Sequence, residues 1–333
     1  MLNQTGIGRI GSGFVQDRLL FGKKVLVVPG VRTTFFDKTN RRYIEPRLSA
    51  YVFLTDSVKL KAAGGQYHQY TTKVTREDLL QGNRAFWTVA DGDLVPVSSN
   101  REWIAGASFE RGRFLFDTEI FHKKLSGLTE FAPRFASAAE NISYRDFFYH
   151  GTGTSKGLEL LVQKKTGANT GWASYTLSDV RETYPGLGAQ SVPADQDQRH
   201  EIKVVDSHPI RGWKVSTTWI IATGKPYTEP VGIAPVTLPF GGPMIDRVVT
   251  GSKNGARLPS YHRMDIGFTR ELVPLGDGGK GLFGVTIFNV YNRHNIWYKE
   301  FNAVAGELTE NNIRLMGRTI NFFIIVGSGT KSW

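Results

Sequence analysis

Arg263-Met264-Asp265-Ile266-Gly267-Phe268-Thr269-Arg270 alternates polar and apolar side chains without interruption, and comparable stretches recur along the chain. Successive side chains of a β-strand point to opposite faces, so each such stretch carries one apolar and one polar face. A soluble sandwich turns its apolar faces inward onto a shared core. An outer-membrane barrel turns them outward to lipid, around a wet lumen. The choice between these two arrangements decides what the chain can do.

No run approaches the roughly 18 uninterrupted apolar residues of a membrane helix, whereas a barrel strand needs only about 9–11. The 333 residues include 21 Phe, 12 Tyr, 7 Trp and 37 Gly. Such a mix serves strands, turns and interfacial rings better than a helical bundle. Cysteine is absent, which removes disulfides, thiolate metal sites and a cysteine nucleophile together. The formal charge of +11 points to anionic partners. Yet the basic residues are scattered and cluster only as pairs such as Lys23-Lys24, Arg41-Arg42, Lys123-Lys124 and Lys164-Lys165. Without a basic stripe, nucleic acid is not an expected partner. The opening Met1-Leu2-Asn3-Gln4-Thr5-Gly6 reads as no secretory signal.

The pattern predicts about thirteen strands, over 8–20, 24–36, 43–55, 58–71, 98–110, 113–125, 155–166, 170–179, 199–208, 212–222, 260–272, 282–301 and 311–326. A turn or two of helix is expected only around 75–81. Without crossover helices the sheet should be antiparallel, each strand beside the next. The connections alternate in length. Short ones fall at Gly22-Lys23, Asp56-Ser57, Arg111-Gly112, 167–169, 209–211 and 274–281; long ones run through 72–97, 126–154, 180–198, 223–259 and 302–310. Only 37–42 is short on the long side. One end of an up-and-down sheet is therefore trimmed and the other elaborated, as short periplasmic turns and long extracellular loops require.

The strand faces agree. Phe114, Phe116, Thr118 and Ile120 alternate with Leu115, Asp117, Glu119 and Phe121, and Leu158, Leu160 and Val162 alternate with Glu159, Leu161 and Gln163. Met264, Ile266 and Phe268 oppose Arg263, Asp265 and Thr269. Charges in mid-strand are costly in a dry core and comfortable in water, so Asp117, Glu119, Glu159, Arg263 and Asp265 are expected to face a lumen. Tyr67, Tyr70, Trp87, Phe121, Trp219, Tyr261, Tyr291, Trp297 and Tyr298 gather near the long connections, as an interfacial girdle would.

Several segments share one resemblance: Arg257-Leu258-Pro259-Ser260-Tyr261-His262-Arg263-Met264-Asp265, then Ile287-Phe288-Asn289-Val290-Tyr291-Asn292-Arg293-His294-Asn295, and Gln198-Arg199-His200-Glu201-Ile202 with Trp213, Trp219 and Thr223-Gly224-Lys225-Pro226-Tyr227-Thr228. Pro29-Gly30-Val31-Arg32, Glu45-Pro46-Arg47-Leu48-Ser49, 65–70 and 153–160 fit the same series. In this order and spacing they resemble TonB-dependent outer-membrane receptors. The resemblance implies a barrel of 22 strands around a plug, residence in the bacterial outer membrane, and energised uptake of a ferric siderophore, vitamin or glycan. Residues 1–333 then read as the C-terminal portion of that barrel, with the signal peptide, TonB-binding segment, plug and about nine strands missing. The implied partners are the TonB complex acting through those missing parts, the remaining strands, and outer-membrane lipid with lipopolysaccharide. The apolar run 321–326 and the terminal Trp333 resemble the family's closing strand, with the tail 327–332 intervening.

No catalytic motif emerges. The seven histidines lack metal-ligand spacing, Asp117 and Glu119 are expected to meet cross-strand cations rather than act as an acid–base pair, and the glycines of 6–13 do not open a helix. No metal, cofactor or enzymatic role is expected. Ligand contacts should come from the long loops, with Trp87, Tyr227 and Arg257 as candidates because aromatics and Arg dominate recognition energy. Basic loops suit an anionic ferric chelate, or equally lipopolysaccharide phosphates. The alternative is a soluble sandwich or propeller module, such as a carbohydrate-binding one; repeats of the length a propeller needs are not found.

Overall fold

A computed structural model describes residues 6–76, 84–132, 144–188, 190–237, 244–275, 279–304 and 306–327. Seventeen strand segments share one sheet. Leu19–Phe21 continues the first strand, Ile10–Gln16, while Thr71–Arg76, Arg84–Val89 and Val192–Pro193 sit in the long connections. What remains is a run of thirteen strands. After the first come Val25–Phe36, Arg41–Phe53, Val58–Gln69, Ser98–Arg111, Phe114–Phe131, Phe148–Lys164 and Thr170–Thr183. His200–Ile210, Trp213–Ala222, Tyr261–Leu275, Gly279–Phe288 and Thr319–Gly327 complete it. Each pairs antiparallel with the next. Apart from two short 3-10 turns, Tyr144–Phe147 and Pro185–Leu187, the described residues hold no helix, and none long and apolar enough to cross a membrane.

Register carries the alternation across the sheet. Ala105, Ile120, Leu158 and Leu177 lie in one cross-strand row, and Phe109, Phe116, Val162, Ala173, Val204, Trp219 and Met264 in another. The face these rows share is uncovered: Ile44 is 61% exposed, Trp103 49%, Ile120 47% and Phe322 71%. No second sheet packs over them among the described residues, so the sandwich alternative fails for want of a sealed layer. The buried cluster is small and sits at the long-connection end. Phe36, Tyr70, Val74, Ala90 and Val95 form it, with Tyr43, Phe131 and Phe148 against it.

Two details shape the sheet. At the Arg211-Gly212 turn both residues have positive φ, 49° and 80°, the geometry a two-residue hairpin demands. Gly106 lies between Lys61 and Glu119 in register. A Cβ there would stand 2.2 Å from the Thr118 carbonyl oxygen and 3.1 Å from Lys61 Cε, so glycine leaves the gap the lysine crosses.

The outermost strands pair on one side only: no ladder joins Ile10–Gln16 to Thr319–Gly327 among the described residues. Thirteen is odd, so these two strands run the same way.

Differences from the sequence expectation are local. The strand expected over 282–301 ends at Phe288, where Asn289 and Asn292 take left-handed φ of 53° and 52°. The Asn289 amide donates to the Arg293 carbonyl while its side-chain oxygen accepts the Arg293 N–H, closing a turn. A separate hairpin, Ile296–Val304 with Glu307–Arg314, follows, and the last strand begins at Thr319 rather than 311. The strand expected over 155–166 starts already at Phe148. Of the helical turn expected at 75–81, Thr75 and Arg76 are strand and 77–81 lie outside the described residues. Residues 241–242, 276–278 and 328–333 lie outside them too.

Candidate functional site

The polar face bears several ion pairs. Lys61 Nζ is 2.7 Å from Asp117 and also pairs with Glu119 on the neighbouring polar-face position; the Ser108 hydroxyl donates to Asp117 at 2.8 Å. Glu159 stands directly opposite Glu119. Arg263 pairs with Asp265 at 3.0 Å, and Asp265 accepts the Asn289 N–H. All five residues expected at a lumen thus lie on the face opposite the apolar rows, Asp117 and Glu119 paired with Lys61 and Arg263 paired with Asp265. Cross-strand charge pairs of this kind are ordinary in a wet interior.

Toward the long connections the same face opens into a pocket of about 410 Å³ lined by Arg32, Glu45, Arg47, Tyr67, His68 and Tyr70 among others, within the ordinary size range for small-molecule sites. Glu45 is 4% exposed, accepts the His68 backbone N–H at 2.8 Å, and has Arg32 and Arg47 at 3.9 and 3.8 Å. The Arg47 guanidinium lies 5.5 Å over the Tyr67 ring. One carboxylate between two guanidiniums leaves surplus positive charge facing the pocket. Sequence reasoning passed over this group, although the short 37–40 connection sets the register that places Arg32 opposite Glu45.

The long connections are locked to one another by buried polar contacts. Arg257 pairs with fully buried Asp197 and donates further to the Asp197 and Gly224 carbonyls; Asp197 also accepts the Val180 N–H. Asn254 donates to Asp195 and to the Pro193 carbonyl, each at 2.8 Å. Lys253 pairs with Glu130 and lies 5.8 Å over the Tyr184 ring. Burial and the neighbouring carboxylates of Glu182 and Glu130 push the Tyr184 phenol well above the usual range, so it stays protonated and donates to Glu182 at 3.0 Å.

Of the three expected contact residues, Arg257 is therefore committed to Asp197. Tyr227 stacks on Phe301 at 6.4 Å, donates to Glu229, and carries Lys299 5.4 Å over its ring. Burial lowers the Lys299 ammonium, but hydrogen bonds to Glu310 and Tyr227 outweigh it and hold lysine charged above its ordinary value. Trp87 projects from the Thr71–Arg76 and Arg84–Val89 hairpin, 69% exposed. Tyr227 and Arg257 lie on one short ladder, Pro226 opposite Arg257 and Tyr227 opposite Ala256; among the described residues no contact joins Trp87 to them.

The expected girdle holds only in part. Trp219 stands on the apolar face with its indole N–H on the Tyr291 hydroxyl at 3.3 Å. Tyr70 is instead buried, and Tyr67, Phe121 and Tyr261 share the polar face with Arg47, Glu119 and Arg263. Trp103, 49% exposed and stacked on His122, takes a girdle position that was not anticipated.

No protein-family model and no curated protein matches the chain in sequence. Solved structures match it in fold. The ferric enterobactin receptor PfeA of Pseudomonas aeruginosa superposes with a TM-score of 0.61 at 15% identity, over 95% of this chain and 45% of that one. The FrpB iron transporter of Neisseria meningitidis gives 0.59 at 13%, over 95% and 45%. The ferripyoverdine receptor of the Pseudomonas aeruginosa outer membrane gives 0.55 at 13%, over 95% and 39%. The chain thus has the fold of TonB-dependent receptor barrels and spans about two fifths of the length of these structures.

Proposed function

We propose that the chain supplies thirteen strands to the barrel of a TonB-dependent receptor in the bacterial outer membrane, which takes up a scarce ferric chelate. The observation that carries this reading is the two-faced sheet, with uncovered apolar rows on one side and ion-paired charges on the other. Hydrocarbon accepts the first face and water the second.

Relatives in fold named for ferric enterobactin, ferripyoverdine and iron transport support an iron–siderophore cargo over a vitamin or glycan. The surplus positive charge of Arg32 and Arg47 around Glu45 favours an anionic chelate on the same grounds. Trp87 and Tyr227 are proposed as aromatic contacts. Arg257 acts by holding the loops, since a ligand anion reaching it must displace Asp197. The plug, the TonB contact and the strands that close the barrel belong to sequence beyond this sheet, so coupled transport is a property of the assembled receptor. The work is passage and recognition, with no covalent step.

Membrane residence is the first test. The chain should remain in outer membranes after alkaline carbonate extraction and need detergent for solubility; release by carbonate refutes the barrel. Binding is the second: ferric siderophores should quench tryptophan fluorescence, and Arg32→Ala with Arg47→Ala should weaken that binding about tenfold or more, a loss of about 1.4 kcal/mol. Unchanged affinity removes the pocket from the ligand path.

A further inference from the structure

Beyond its apolar rows the outward face turns cationic at the long-connection end. Following each strand outward past its last apolar residue, Trp103 gives way to Arg101, Ile120 to His122 and Lys124, Leu158 to Lys156, and Leu177 to Asp179 and Arg181. Register sets these side by side. Arg101 is opposite Lys124, Lys124 opposite Thr154 and Thr154 opposite Arg181; Lys156 lies between His122 and Asp179. Arg199 joins them, 2.9 Å from Asp179.

Five permanent cations therefore share one patch with a single carboxylate. Asp179 is approached by Lys156 at 3.8 Å, Arg181 at 3.5 Å and Arg199 at 2.9 Å, so it cannot satisfy them all. The remaining polar contacts are to neutral groups: Arg101 donates to the Gln66 side chain and Arg181 to the Ser191 carbonyl. The side chains stay open to the surroundings, Lys156 at 64% and Arg199 at 44%. Like charges on adjacent strands repel, and a patch with a net surplus of four invites an anion of matching size.

Its place selects the anion. The cations begin one outward step beyond the apolar rows, where headgroups lie, beside Trp103 stacked on His122 at 5.8 Å. Adjacent strands stand about 4.8 Å apart, so four of them span about 15 Å. A single phosphodiester brings one negative charge and leaves the patch mostly uncompensated. Two phosphomonoesters bring about −1.5 to −2 each, which meets the surplus.

Resting on the barrel reading above, we infer that Arg101, Lys124, Lys156, Arg181 and Arg199 bind a glycolipid of the outer leaflet that carries two phosphomonoesters. The guanidiniums of Arg101, Arg181 and Arg199 suit bidentate contact with phosphate oxygens, while the lysines act as point charges.

The test reconstitutes the chain into phosphatidylethanolamine vesicles doped with diphosphoryl or monophosphoryl lipid A and weighs the lipid retained per chain by mass spectrometry. The diphosphoryl form should be retained about tenfold or more over the monophosphoryl one. Replacing Arg101, Lys124, Lys156 and Arg181 together with Gln should abolish that preference, while replacing Arg18, Lys23, Lys24 and Lys164 with Gln should leave it intact. Equal retention of the two lipids, an equal loss in the second variant, or displacement by millimolar inorganic phosphate each overturns the site while leaving the barrel standing. A chain stripped from the vesicles by carbonate overturns the barrel and this site with it.

Discussion

Replacing Lys61 with Met removes the cation that pairs with both Asp117 and Glu119. At the 2.7 Å separation from Asp117, the direct attraction is about 6 kcal/mol at an effective dielectric of about 20 and about 1.5 kcal/mol in bulk water. The three side chains are 19%, 18% and 29% exposed, which places the group between those limits, nearer the wet one if a lumen covers it. Desolvation offsets part of the gain, and breaking a fully buried pair costs about 3–5 kcal/mol; for this half-wet triad about 1–3 kcal/mol is expected. The loss is sharpened by Glu159, opposite Glu119, because three carboxylates then share this part of the face without the lysine that paired with two of them. Unfolding in urea, followed by tryptophan fluorescence on the chain inserted in bilayers, reads the cost. Adding Asp117→Asn and Glu119→Gln to Lys61→Met should recover most of it. If the single variant is as stable as the wild type, or the triple variant no better than the single, charge pairing does not order this face.

Three further outcomes follow from the same geometry. Ile120→Arg, on the apolar face, should cost about 2–4 kcal/mol in the inserted chain, while Leu161→Arg, opposite Asp117 on the polar face, should cost much less; the same unfolding assay compares them, and equal costs refute the assignment of faces. Asp197→Ala strips the Arg257 guanidinium and the Val180 N–H of their shared acceptor, a loss of about 2–4 kcal/mol that should appear as faster protease nicking within 223–260, with the strands themselves uncut. The Tyr184 phenol is held up by burial and by Glu182 and Glu130, so its contribution to stability is complete below the unfolded tyrosine value of about 10 and is lost only as pH climbs beyond it; difference absorbance at 295 nm between wild type and Tyr184→Phe should show no tyrosinate at this position until the loops open.

The strands were legible because their signal is local. A period of two in hydrophobicity, interrupted by Gly22, Gly112 or Arg211-Gly212, needs no knowledge of the rest of the chain, and where connections are short they also fix the register, as 37–40 does for Arg32 and Glu45. The long connections carry no such rule. Asp197 and Arg257 are 60 positions apart, and nothing in their neighbourhoods announces the pair; both look like free polar loop residues until the loops are folded on one another. Tyr70 failed as a girdle residue for a related reason, since an aromatic at a strand end serves lipid or a loop core equally well, and here Phe36 and Tyr43 claim it. Asn289 was read inside a strand because its apolar neighbours continue the alternation, while the turn is made by its own amide.

The edges set the last constraint. An antiparallel edge leaves both backbone groups of every second residue unpaired, so the nine residues of Thr319–Gly327 present about eight unmatched groups. At about 2 kcal/mol or more each in hydrocarbon, that one edge costs more than the roughly 5–15 kcal/mol by which a folded protein is stable. Direct closure would relieve it only through a poorer seam. The first and last strands point the same way because thirteen is odd, and a seam between them would be parallel, with weaker pairing than the twelve antiparallel seams already made. An odd number of added strands restores antiparallel pairing at both edges, and nine of them reach the 22 of the large plugged barrels. Cysteines placed at Val15 and Phe322, both on the apolar face and neighbours only if the sheet closes on itself, should therefore fail to crosslink in outer membranes; a disulfide between them would mean that thirteen strands suffice.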